Sequence, residues 1–315
     1  MEIIDLQTAT TKDLVSTGYV LINNPPALRK GKRNEYMVGQ FTDKNGQVEF
    51  KVWEAHIYAP ILAHGNGIYQ ATVQGSEFNG VYLTVQKIQP VYDDSVKISD
   101  FLPRIPTDYL LSFWRKTLGK LSELGVSHNC FQTVKTLLAA PELEQRFMVE
   151  GAAMRHHDNK LGGLAHHTTK MLNILAAILE NNPPLKASAD LLAFSIIVHD
   201  IGKVWEYNNL SEGEYWYVNH RVRGVEFLAK YKDLIVESFD ETFYRQVQAV
   251  IAGHHGEYAD RPQTVAAAIV HFIDNLESQV TGLVEDMQMP HSNERIRYIE
   301  WGYLKDLELS DDNDE

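Results

Sequence analysis

The dipeptide His199-Asp200 ends an apolar run, residues 191–198, and is followed at once by Ile201-Gly202-Lys203. Adjacent imidazole and carboxylate groups offer a divalent cation one borderline nitrogen and one hard oxygen. That mixture suits Mn²⁺, Fe²⁺, Zn²⁺ or Ni²⁺ better than an all-oxygen Mg²⁺ cage. The pair belongs to a series, with His167 upstream and His220, His254, His255 and Asp274 downstream. Nine of the thirteen histidines lie between residues 156 and 271. This clustering sets them apart from His56, His64, His128 and His291, which need no more than surface or core hydrogen bonding. Taken singly, a His254-His255 pair arises by chance, and Asp274 could cap a helix or pair with an arginine. The whole series points to a metal site.

The elements that must position these side chains are helices. Apolar residues recur at three- and four-residue spacing over 109–124, 164–179, 189–198, 222–228, 243–251 and 265–284. His167 shares a face with Met171, Ile174 and Leu175, so it points into a bundle, where ligand sites of this kind are built. His199 and Asp200 end their helix, and Gly202 is expected to supply its C-terminal cap. His254 and His255 end another helix just before Gly256. Asp274 lies mid-helix among Ile269, Ile273 and Leu276, where a carboxylate is costly to bury without a partner charge. A bound cation is one such partner.

The first part of the chain has a different period. Tyr19-Val20-Leu21-Ile22, residues 35–41, 48–53, 68–73 and 81–85 are short β-like runs, and Asn45-Gly46 and Asn79-Gly80 mark hairpins. A helical segment, residues 54–62, falls between the third and fourth. The natural architecture is a five-stranded antiparallel barrel of OB type. Residues 93–106, with Asp93, Asp94, Pro103 and Pro106, form the boundary. The expected fold class is α+β multidomain. An OB-type barrel over 1–95 leads through a connecting segment, 96–125, into an all-α bundle over 126–305 and an acidic tail over 306–315.

At 315 residues the chain can bury two cores. Its 44% hydrophobic and 23% charged content is that of an ordinary soluble protein. Cys130 is the one cysteine, so no intrachain disulfide forms. No apolar stretch reaches the ~20 residues of a membrane helix, and Met1-Glu2-Ile3-Ile4-Asp5 lacks a signal-peptide pattern. A cytoplasmic protein with no membrane partner is expected. The formal net charge of −13 argues against coating nucleic acid by bulk charge. Residues 1–97, however, hold nine Lys/Arg against ten Asp/Glu, so they are nearly neutral. They include a basic loop, Arg29-Lys30-Gly31-Lys32-Arg33, and the aromatics Tyr36, Phe41, Trp53, Tyr69, Phe78 and Tyr82. Alternating aromatics commonly fill a barrel core. Exposed ones beside a basic groove bind single strands by stacking, with Arg29, Lys30, Lys32, Arg33, Tyr36 and Trp53 as the candidates.

The motifs together resemble the HD-domain metal-dependent phosphohydrolases, most closely the bacterial YhaM-type 3′–5′ exoribonucleases, which join an OB fold to an HD domain. The resemblance runs from about Gly18 to Ser278. It rests on His156-His157, on Leu161-Gly162-Gly163-Leu164-Ala165-His166-His167-Thr168, on His199-Asp200-Ile201-Gly202-Lys203, on Gly253-His254-His255-Gly256 and on His271-Phe272-Ile273-Asp274. It implies that His167, His199, Asp200 and Asp274 hold a first cation. His220, with His254 or His255, helps hold a second, and Asp200 bridges them. Two divalent ions are implied, Mn²⁺ favoured, with Mg²⁺, Co²⁺, Fe²⁺, Zn²⁺ or Ni²⁺ also compatible. Lys203 and Asp200 carry catalysis, with Lys203 on the scissile phosphate; its position also suits a lysine at a helix C-terminus. His156 and His157 contact substrate phosphate or support the ligands. The implied activity is 3′–5′ hydrolysis of single-stranded RNA, also DNA, to nucleoside 5′-monophosphates. A phosphohydrolase of small or cyclic nucleotides and a non-catalytic strand binder are the alternatives. The chain departs from the family at Asn275-Leu276-Glu277-Ser278, where a second Asp and a small residue are common. It departs again at Asn219, where Gly is frequent, and at His166, where an acid is usual.

Overall fold

A computed structural model of the chain describes residues 2–31, 34–78, 80–92, 96–152, 160–256, 261–288, 295–298, 302–305 and 307. Two compact units divide it: residues 1–105 with 207–213, and residues 106–206 with 214–315.

The first unit is built on β1 (Val15–Ile22), β2 (Ala27–Lys30), β3 (Glu35–Asp43), β4 (Gly46–Val52), β5 (Gly67–Glu77) and β6 (Val81–Pro90), with short α1 (Leu6–Ala9) and α2 (Ala55–His64). The sheet order is β1-β5-β6-β4-β3-β2, and a further β1–β3 pairing closes β1, β5, β6, β4 and β3 into a ring. That closure rests on one pair, Leu21 opposite Thr42, so the barrel closes unevenly. Leaving out β2, the ring is the five-stranded OB-type arrangement, with β4 and β6 as its parallel pair. Along β5 buried and part-exposed residues alternate, as a strand with one face in a core requires. Inside, Phe41 stacks on Phe50 with ring centroids 4.2 Å apart, among Met37, Val52, Tyr69 and Leu83. The Asn45-Gly46 hairpin forms as expected, with Asp43 opposite Gly46. The sheet holds six strands rather than five, because Arg29 and Lys30 are not in a loop. They lie in β2, an edge strand paired to β3. All four β2 residues are exposed, so no apolar alternation betrays the strand.

The second unit is helical: α3 (Thr107–Glu123), α4 (His128–Leu138), α5 (Gly163–Asn181), α6 (Ala189–Val198), α7 (Lys203–Glu206), α8 (His220–Lys230), α9 (Lys232–Ser238), α10 (Glu241–Gly253) and α11 (Val265–Gln288). Two short strand pairs complete the chain: β7 (Tyr207–Asn208) with β8 (Ser211–Glu212), which belong to the first unit, and β9 (Arg295–Tyr298) with β10 (Gly302–Lys305) in the second. α6 is buried on every side from Leu191 to Val198, with Asp190 of its first turn half-buried. Its sequence is apolar all round because it has no wet face. α5, α10 and α11 pack against it. α4 begins at Ser127, whose hydroxyl accepts from the Cys130 amide, while Asp190 accepts from both the Ser127 amide and its hydroxyl. Among the described residues no helix is long and apolar enough to cross a membrane. Lys32, Arg33, His156, His157 and the tail 311–315 lie outside the described residues.

Candidate metal centre

The end of α6 delivers His199 and Asp200 into the middle of the bundle. His167 reaches them from the first turns of α5, His220 from the start of α8, His254 and His255 from the end of α10, and Asp274 from the middle of α11. These seven residues supply three overlapping sets of ligand atoms: His167, His199 and Asp200; His199, His254 and Asp274; and Asp200, His220, His254 and His255. Within each set the atoms lie within 4.8 Å of one another. Asp200, His199 and His254 each belong to two of the sets. Asp200 Oδ2 lies 3.2 Å from His199 Nε2 and 4.0 Å from His167 Nε2, and its Oδ1 lies 3.3 Å from His220 Nε2 and 3.5 Å from His254 Nε2. His167 Nε2 is also 3.2 Å from Asp274 Oδ1.

The imidazoles are oriented from behind. His199 Nδ1 donates to the carbonyl of Ile196 at 2.7 Å, and His254 Nδ1 donates to that of Ile251 at 2.9 Å. In a neutral ring this leaves Nε2 as a bare lone pair facing Asp200. His199 Nε2, His254 Nε2 and Asp200 Oδ1 are accordingly buried without a hydrogen bond. Converging buried acceptors with no proton between them are costly unless a cation sits among them. The donor set, imidazole nitrogens with carboxylate oxygens, fits a divalent transition metal.

Two further imidazoles are held by carboxylates. His220 Nδ1 lies 2.7 Å from Glu206 Oε2, and His167 Nδ1 bonds Glu277, which is itself ion-paired to Lys170. Such partners fix ring orientation and raise the basicity of the ligating nitrogen. Sequence reasoning missed Glu206, Glu277 and Lys170. Glu277 is the acid at the family departure after Asp274; its three-residue offset from Asp274 on α11 puts both on one face.

Electrostatics follow the same layout. Burial favours the neutral acid at Asp200, yet Lys203 and then His199 hold its carboxyl well below the usual range. The Lys203 Nζ sits 2.6 Å from Asp200 Oδ2. Burial also opposes a charge on His167, but its bonds to Asp274 and Glu277 outweigh this and push it up to about 10. Burial, then the neighbouring His254, drive His255 down to about 3. Burial lowers His254 too.

Gly202 does not cap α6 through a left-handed backbone. A Cβ there would fall 1.8 Å from the His220 carbonyl oxygen and 2.9 Å from the Gly224 amide. The glycine lets α7 and α8 meet closely enough for Glu206 to reach His220.

On the barrel, Tyr36 and Trp53 stack with ring centroids 4.7 Å apart. Arg29 lies opposite Tyr36 in the β2–β3 ladder and so shares its face. Lys30, opposite Glu35, faces the other way. Phe41 and Tyr69 are core residues, whereas Phe78 is exposed and Tyr82 carries the Lys51 amine 3.7 Å above its ring.

Residues 164–279 match the HD domain family. Every ligand candidate, together with Glu206 and Glu277, falls inside the matched span. The chain is similar to the 3′–5′ exoribonuclease YhaM of Bacillus subtilis, 24% identical over 280 residues that cover 83% of this chain and 84% of that protein. It is equally similar to YhaM of Shouchella clausii, 24% identical over 308 residues, and of Halalkalibacterium halodurans, 25% identical over 304 residues, each covering 90% of both chains. No solved structure matches. The resemblance drawn from the motifs therefore stands, and the HD domain with these relatives supports a hydrolase.

Proposed function

We propose that this chain is a divalent-metal-dependent 3′–5′ exoribonuclease of the cytoplasm, acting on single-stranded RNA, and also on DNA, to release nucleoside 5′-monophosphates. One observation carries the reading: His199 Nε2, His254 Nε2 and Asp200 Oδ1 converge, buried, without a hydrogen bond among them. His167, His199, Asp200 and Asp274 would hold one ion, and His220, His254 and His255 a second, with Asp200 common to both. The mixed nitrogen and oxygen donors suit Mn²⁺, Fe²⁺, Zn²⁺ or Ni²⁺, and the resemblance favours Mn²⁺ among them. Bound there, the ions supply Lewis acidity, an acidified water and neutralisation of phosphoryl charge.

The protein's own groups do the rest. Lys203, held at the cluster by Asp200, presents an ammonium where a phosphate would enter. Glu206 and Glu277 keep His220 and His167 in their ligating orientation. Residues 1–95 would hold the strand through Arg29, Tyr36 and Trp53, and residues 126–305 would cleave it.

The test is purified protein with a 5′-labelled single-stranded RNA and added Mn²⁺, Mg²⁺ or Co²⁺. Stepwise shortening from the 3′ end, abolished by chelator and restored by Mn²⁺, is expected. Cleavage of mononucleotides or cyclic nucleotides alone would replace this reading with a small-nucleotide phosphohydrolase. Strand binding without any hydrolysis would leave a non-catalytic binder.

A further inference from the structure

We propose that Trp216 and Tyr217 form a base-stacking platform beside the metal centre, which grips the substrate strand next to the bond being cut. The proposal rests on the exoribonuclease reading and adds a binding site in the helical unit, separate from the barrel. The rings stand in the turn that leads from β8 into α8. At one end this turn is pinned to α7, where the Tyr215 amide donates to the Trp205 carbonyl at 3.3 Å. The Val218 amide closes the turn onto the Tyr215 carbonyl at 2.8 Å. At the other end the chain runs through Asn219, whose side chain caps α8, straight into His220. Tyr217 is three residues from that ligand, so their Cα atoms are at most about 11 Å apart. Trp205 adjoins Glu206, the residue that orients the same imidazole.

The turn has an inner and an outer layer of rings. The inner layer is locked, since the Arg223 guanidinium lies 4.4 Å from the Tyr215 ring centroid and 5.2 Å from that of Trp205, and Glu226 holds Arg223 at 2.6 Å. Arg223 is thus a positioning residue. The outer layer is open: Trp216 is 55% and Tyr217 70% exposed, with centroids 6.0 Å apart and planes at 84°. Large rings left in water on a braced turn beside a metal centre offer π-faces to nucleobases. Stacking accepts any base, as an exonuclease that must read through every sequence requires. A protein partner would want a contiguous apolar surface, but Glu214 and Asn219, both exposed, flank the rings.

The test compares Trp216→Ala, Tyr217→Ala and Tyr217→Phe with the full-length parent on two substrates. One is a 12-nucleotide RNA. The other is the same strand with abasic residues at its last three 3′ positions, which offer no ring to stack. The alanine variants are expected to raise KM for the RNA about 5- to 100-fold each, the range that loss of one stacked base implies. The rate on the abasic strand should stay unchanged, and Tyr217→Phe should behave as the parent. In parallel, an RNA with 5-iodouridine near its 3′ end is irradiated with the metal-free protein, and the cross-linked peptide is expected to contain Trp216 or Tyr217. Unchanged RNA kinetics, a loss on both substrates alike, or a cross-link elsewhere would overturn the platform. If the parent cleaves no RNA, the exoribonuclease reading fails, and the cross-link alone then decides whether the turn binds bases.

Discussion

Glu206 and His220 meet twice: one carboxylate oxygen of Glu206 lies 2.7 Å from His220 Nδ1 and 3.2 Å from the His220 backbone amide. One acid thereby fixes both the ring and the first residue of α8. Glu206→Gln keeps an acceptor but removes the charge that makes Nε2 a strong donor. We expect cation affinity and hydrolysis to fall about 10- to 100-fold, with the far-UV circular dichroism spectrum unchanged. Glu277→Gln should behave alike at His167. Isothermal titration with Mn²⁺ measures both.

Asp200 is the group on which four imidazoles and Lys203 converge. Asp200→Asn should lower bound metal to trace levels in elemental analysis, an affinity loss of at least ~100-fold, and take hydrolysis to background. Binding of a labelled strand by the intact variant should persist. Retained metal with lost activity would reassign Asp200 to chemistry alone.

His167 gives the pH dependence. Its folded pKa is raised to about 10 against an ordinary 6.5. In metal-free protein its stabilising contribution is therefore complete below about pH 6.5 and lost as pH rises through 10. Glu277, held down to about 2, contributes above about pH 4.5 and is lost as pH falls toward 2. A cation must displace the His167 proton, so loading releases protons and tightens as pH rises from 6.5 toward 10. Paired titrations in buffers of different ionisation enthalpy count the released protons.

The Gly202 contact sets a steric limit. Gly202→Ala places a methyl group against the His220 backbone, which has no flexible end to yield. We expect a loss of about 1–3 kcal/mol in denaturant titration, together with weaker Mn²⁺ binding because α8 is pushed from α7.

Trp53 is half-exposed and lies outside the core, so Trp53→Ala should leave the melting temperature nearly unchanged. Affinity for a single-stranded oligonucleotide should fall about 5- to 100-fold, as loss of one stacked base predicts. Hydrolysis of bis(p-nitrophenyl) phosphate should be untouched. Fluorescence anisotropy of a labelled strand provides the measurement.

The clustering of the candidate ligands was legible because histidines next to acids at helix ends are scarce, and each fell beside an apolar run that fixed its direction. Their supports were not. Among 42 Asp and Glu residues, Glu206 and Glu277 carry no local mark, and only packing of α7 on α8 and of α5 on α11 selects them. The barrel was legible where strands bury one face, as in β3 and β5. It failed at β2, whose exposed residues are ordered by ladder hydrogen bonds alone. Gly202 was misassigned because a glycine after a helix suggests a left-handed cap, whereas here it serves helix proximity.

From Leu191 to Val198 α6 has no solvent-facing side, yet it runs straight into His199-Asp200. A close-packed interior is stiff, so a shape change anywhere along 193–197 has no soft surface into which to relax and is passed down the helix axis. The hydrolytic rate can thus be tuned by aliphatic substitutions a full turn or more behind the chemistry, at positions that never meet the substrate.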